Sequence, residues 1–125
     1  MVFNFFKSGK NKNYKREDFP DDADGESIWR VVEDGSDLSK PMSVDFFVSV
    51  PSLEKGKDFE KVALEHGYKT SVEKDSETEN FTCYCSKVFL LNYDGVLAEQ
   101  EKLDALAKPH DGYIDGWGTF GNKEE

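Results

Sequence analysis

An α+β sandwich of the ferredoxin-like type is the fold this 125-residue sequence predicts, from three observations. One segment alternates strictly between apolar and polar residues, as a half-buried strand does. Two others carry apolar residues at helical spacing between start and stop signals for a helix. After a short first helix the elements then run β-α-β-β-α-β, an order that gives an antiparallel sheet with helices on one face and the other face open.

Residues 1–25 hold no sustained apolar period and are rich in Lys, Asn, Asp and Gly around Phe19-Pro20, so they read as a flexible, basic and polar leader. The domain proper is expected over 26–121, with 122–125 as a short tail. Ser27 to Glu33 offers Ile28, Trp29, Val31 and Val32 on one stripe, stopped at Asp34-Gly35, and reads as the first helix. Between Pro41 and Pro51, Met42, Val44, Phe46, Val48 and Val50 share one face of a strand, and Ser43, Asp45, Phe47 and Ser49 the other. Ser52 then caps a helix carrying Leu53, Phe59, Val62 and Ala63, which His66-Gly67 ends.

Tyr68 to Glu73 and Asn80 to Leu91 read as two strands of a hairpin around a polar turn. Asp94-Gly95 looks like the cap of the next helix, with Leu97, Leu103, Leu106 and Ala107 inward and Glu99, Glu101 and Lys102 turned outwards. Pro109 and Gly112 end it, and Tyr113 to Phe120 is the last strand.

A chain of this length is most simply one domain, burying about two-thirds of the surface it exposes unfolded. Its formal net charge is −10, although residues 1–16 carry Lys7, Lys10, Lys12, Lys15 and Arg16 and no acid. The body is therefore strongly acidic. Such a surface repels phosphate backbones, which argues against direct nucleic-acid binding, and it assists docking to a basic protein. The apolar opening Met1 to Phe6 is too short for a signal peptide or a membrane span, so a cytoplasmic protein is expected. Cys83 and Cys85 face the same side of one strand at a separation awkward for a mutual disulfide, as packing residues in a reducing compartment would.

Catalysis would need a nucleophile with a base, a carboxylate pair or a metal cluster, and the sequence displays none. Its two histidines, His66 and His110, fall at helix ends, where positive charge suits the helix dipole. A Cys-x-Cys without a second pair is a poor zinc match. No metal, cofactor or catalytic residue is therefore assigned. The residues expected to meet a partner are Asp45 and Phe47 on the open sheet face, and Asp115, Trp117 and Phe120 in the last strand. In that strand Gly116 and Gly118 flank Trp117; glycine within a strand marks a bulge or a close backbone approach, so the motif reads first as structural.

The pieces Glu33-Asp-Gly-Ser-Asp37, His66-Gly-Tyr68, Cys83-x-Cys85 and above all Tyr113-Ile-Asp-Gly-Trp-Gly-Thr-Phe120 make residues 26–121 resemble the RraB family, regulators of ribonuclease E activity. The resemblance implies a ferredoxin-like domain without catalysis that binds ribonuclease E, or another basic RNA-handling protein, and restrains RNA turnover. Two other functions fit the residues. An acidic immunity protein would neutralise the basic cleft of a nuclease toxin. A small enzyme or ligand-binding domain would use the open face near Asp45 and Trp117.

Overall fold

The computed structural model describes residues 14–123. The elements are α1 (Ala23–Glu33), β1 (Met42–Val50), α2 (Leu53–Glu65), β2 (Lys69–Lys74), β3 (Phe81–Phe89), α3 (Tyr93–Ala107) and β4 (Tyr113–Thr119), with short 3-10 turns at Arg16–Asp18 and Lys108–His110. The strands form one sheet in the order β2-β3-β1-β4, every neighbouring pair antiparallel. This is the expected α+β sandwich, with α1 added in front. The apolar part of the basic leader, Phe3, Phe5 and Phe6, and its Lys7, Lys10 and Lys12 lie outside the described residues.

Alternation along β1 sets the two faces. Met42, Val44, Phe46, Val48 and Val50 are all buried under the helices, where they meet Cys83 and Cys85 of β3, Phe59 and Ala63 of α2, and Val96, Leu103 and Ala107 of α3. Burying each larger apolar side chain is worth about 1.5–3 kcal/mol, so this row anchors the sheet to its helices. Cys83 and Cys85 are both free, buried and 4.0 Å apart at sulfur. Contact with the Cys83 thiol and burial push the Cys85 thiol pKa up, so that sulfur stays protonated, and both cysteines serve as packing.

Helix ends follow the expected chemistry with two shifts. Ser52 caps α2, its Oγ accepting from the Lys55 N–H at 3.2 Å. The helix ends at His66, with Gly67 at φ 93° and the Tyr68 N–H reaching back to the Ala63 carbonyl at 3.1 Å. That pair of features is a Schellman turn, and α1 closes the same way at Gly35.

The cap of α3, however, is Asn92 and not Asp94: its Oδ1 accepts from the Gly95 N–H at 2.7 Å, leaving Asp94 exposed in the first turn. Likewise α1 begins at Ala23, four residues before Ser27, because Asp22 caps it by accepting from the Gly25 N–H at 2.8 Å.

Two side chains differ in placement from the sequence pattern. Leu53, expected inward, is 47% exposed, because α2 turns Gly56, Phe59 and Ala63 to the sheet. Glu99, expected outward, is only 15% exposed. Its carboxylate accepts from Lys87 Nζ at 2.6 Å and from the buried Tyr68 hydroxyl, while Lys102 lies 3.8 Å away. Both ammonium groups also sit over the Tyr68 ring, at 5.6 and 5.2 Å from its centre. Burial raises the Glu99 pKa, but the bonds from Lys87 and Tyr68 and the two lysine charges outweigh it, and the carboxyl ends below its ordinary value.

Candidate functional site: the two sides of strand β4

The glycine-tryptophan motif lies in β4, an edge strand paired only with β1. Register runs Val44 with Thr119, Asp45 with Gly118, Phe46 with Trp117 and Phe47 with Gly116, then shifts so that Val48 meets Ile114. Asp115 is the extra residue of this bulge and is exposed. Since Phe46 faces the helices, its partner Trp117 does too. Its half-buried indole packs against the core and donates from Nε1 to Asp24 Oδ1 of α1 at 2.8 Å. The neighbouring surface, lined by Ser27, Arg30, Val31, Asp34, Gly118 and Thr119, is a shallow cleft between α1 and β4.

Beyond β4 the chain is fastened again. The Asn122 side chain accepts from the Asp37 N–H at 2.8 Å and donates to the carbonyls of Asp37 at 2.9 Å and Lys40 at 3.1 Å. Its own N–H donates to Ser36 Oγ at 3.1 Å. The Gly35-Ser36-Asp37 turn and the end of the tryptophan strand are thereby one structure, although 85 residues separate Asp37 from Asn122. At the start of β4, the Ile114 N–H donates to Asp104 Oδ1 at 2.9 Å. That N–H and Lys108 hold the Asp104 carboxyl below its ordinary pKa.

The opposite side of the same strand is bare backbone. A Cβ at Gly118 would stand 3.5 Å from Phe47 Cζ, and one at Gly116 3.8 Å from Phe47 Cδ2. The Phe47 ring therefore lies beside the glycine strand, at contact distance from where a Cβ would stand. Gly116 also has φ 138°, a conformation that disfavours any side chain. From β3, Tyr84 meets Phe47 edge-on, the centres 5.5 Å apart and the planes at 79°. Next along this face Asp45 is half-buried, its Oδ1 accepting from Ser86 Oγ at 2.5 Å.

Of the five residues singled out from the sequence, Asp45 and Phe47 share the open face, Asp115 is exposed at the bulge, and Phe120 stands fully exposed just past β4. Trp117 is separated from Phe47 by the thickness of the sheet. Sequence reading missed the two residues that fix the motif, Asp24 and Asn122. Among the described residues no group of three or more His, Cys, Asp or Glu is placed to hold a metal ion, and no helix is long and apolar enough to cross a membrane.

Fold and site together define a small ferredoxin-like α+β domain with an added N-terminal helix, latched to its edge strand through tryptophan. The model of the family described as regulator of ribonuclease activity B (RraB) matches residues 21–119, and the chain belongs to that family. The Escherichia coli (strain K12) protein named "Regulator of ribonuclease activity B" is 32% identical over 100 residues, covering 74% of this chain and 70% of the relative. One of the same name from Pseudoalteromonas atlantica is 30% identical over 106 residues, 76% of this chain and 85% of the relative. A third, from Actinobacillus succinogenes, is 27% identical over 99 residues, 76% and 70% respectively. These relatives are named as regulators and not as ribonucleases, in line with a sequence that displays no catalytic set.

Proposed function

We propose that this protein restrains RNA turnover by binding ribonuclease E, or the assembly around it, directly and without catalysis. The observation that carries the reading is membership of a family of ribonuclease-activity regulators combined with a net charge of −10. An RNA-handling enzyme exposes basic surface for its substrate, and an acidic protein is drawn to that surface while being repelled by the RNA. The cytoplasm is the compartment where such an encounter takes place, and two free buried cysteines suit it. Of the candidate contact residues, Asp45, Phe47, Asp115 and Phe120 have access to solvent and are assigned to the interface. Trp117 is assigned to holding the strand that presents them.

The test is cleavage of an RNA substrate by purified ribonuclease E with increasing amounts of this protein, alongside direct titration of the two proteins. Slowed cleavage and saturable binding, both weakening as salt is raised, are expected. Unchanged cleavage together with no binding at micromolar concentration would overturn the reading.

A further inference from the structure

The open face is organised in rows that cross all four strands. One row is Gly118, Asp45, Ser86 and Lys69; the next is Gly116, Phe47, Tyr84 and Ser71. At their centre stand a half-exposed aromatic ring and a half-buried carboxylate on alternate residues of β1, hence on the same side and one pleat repeat apart. The ring is fixed in place. Glycine backbone supports it on one flank and the Tyr84 edge on another, so its orientation is established before any partner arrives.

Among the described residues the carboxylate has a single partner and no cation. On the helix side, part-buried Glu99 and Asp104 are each held by a lysine, Lys87 at 2.6 Å and Lys108 at 2.9 Å, and part-buried Asp24 accepts from both Trp117 and Gln100. Asp45 has only the Ser86 hydroxyl; among the described residues it makes no ion pair. Lys69 shares the row but sits beyond Ser86, on the far strand of the sheet. A half-buried carboxylate with one oxygen unbonded and no cation beside it has room to accept from a cationic donor brought by a partner.

We infer that Asp45 and Phe47 form a recognition site for an arginine side chain carried on a basic segment of a protein partner. The guanidinium lies flat against the exposed part of the Phe47 ring and donates to the free oxygen of Asp45. Arginine fits better than lysine because it is planar, stacks on aromatic rings, is less strongly hydrated and donates from several nitrogens at fixed angles. The glycines flank the ring: a Cβ at 116 or 118 would come into ordinary contact with Phe47, and the φ of 138° at Gly116 is the feature that calls for glycine. This inference rests on the proposed protein-binding function and names the chemistry of its contact.

Two measurements separate the site from the function. In the first, the full chain is labelled for NMR and titrated with a capped arginine-rich nonapeptide, with its lysine counterpart of equal charge, and with a single-stranded RNA oligonucleotide. Amide signals of Asp45, Phe47, Gly116 and Gly118 are expected to move saturably with the arginine peptide, several-fold more weakly with the lysine peptide, and not with RNA.

Asp45→Asn and Phe47→Ala should each weaken the arginine peptide about tenfold while the rest of the spectrum stays folded. Equal affinity for both peptides, unchanged affinity in D45N and F47A, or shifts produced by RNA alone would each overturn the site. In the second, the same variants are titrated with ribonuclease E. Wild-type binding that D45N and F47A leave intact refutes the arginine site while preserving the function. A wild type that takes the arginine peptide but not ribonuclease E refutes the function and preserves the site.

Discussion

The two sides of β4 do opposite things with the same eight-residue motif. On the helix side Trp117 is packed, hydrogen-bonded to Asp24 and backed by the Asn122 fastening. On the open side the same strand presents Gly116 and Gly118, beside which Phe47 lies half-exposed. A tryptophan between glycines is thus neither a ligand loop nor merely the end of a strand. Its large residue fixes the edge strand to α1, and its two glycines lie against an aromatic ring supplied by β1.

The largest effects are expected on the helix side. Trp117→Ala is expected to cost about 2–4 kcal/mol, because it removes a half-buried indole and the donor to Asp24 Oδ1; denaturant unfolding measures this, and a loss below about 1 kcal/mol would mean the latch is not holding β4. Asn122→Ala should cost roughly 1–3 kcal/mol, since it removes the side chain that bonds the Asp37 N–H and the carbonyls of Asp37, Lys40 and Pro41. Hydrogen exchange should then quicken at Asp37 and at the end of β4, both of which Asn122 serves.

Removing the α3 cap by Asn92→Ala is expected to cost about 1 kcal/mol in the same assay, whereas Asp94→Ala, at the position the sequence suggested, should cost less. Phe47→Ala should cost about 1–2 kcal/mol, less than Trp117→Ala, because its ring is partly in water and has no hydrogen bond to lose. That smaller value set against the Trp117 value is the asymmetry between the faces expressed as energy.

Much of this was legible in the sequence, for a physical reason. The alternation from Met42 to Val50 has the period of a pleated sheet, and the caps and stops around α2 are local chemistry, so strand, helix and element order could all be read. The features that escaped depend on distant contacts. Asp24 sits in a stretch whose Gly25 and polar neighbours suggest a flexible leader. In fact Gly25 packs against Pro20, where a Cβ would fall 2.0 Å from the carbonyl oxygen, and Asp22 caps the helix. Glu99 looks solvated by its helical spacing alone; only the sheet places Lys87 and Tyr68 against it. Trp117 was recognisable as important, but which side of the sheet it faced required the bulge at Asp115.

The smallest effect expected concerns pH. Glu99 is held below its ordinary pKa of 4.5, so its interactions stabilise the fold above that value and are lost as pH falls through the lower, folded value. Acid unfolding of Glu99→Gln should therefore show a flatter stability profile below pH 4.5 than wild type. An identical slope in the two proteins would mean that Glu99 is not the linked group.

The division between the faces is tested most directly by measuring, for Trp117→Phe and Phe47→Ala side by side, the midpoint of unfolding and the dissociation constant for ribonuclease E. A crossed result is expected: W117F unfolds more easily yet binds as wild type does when folded, and F47A binds about tenfold more weakly while still folded at the temperature of the assay. Binding lost in folded W117F and retained in F47A would contradict it.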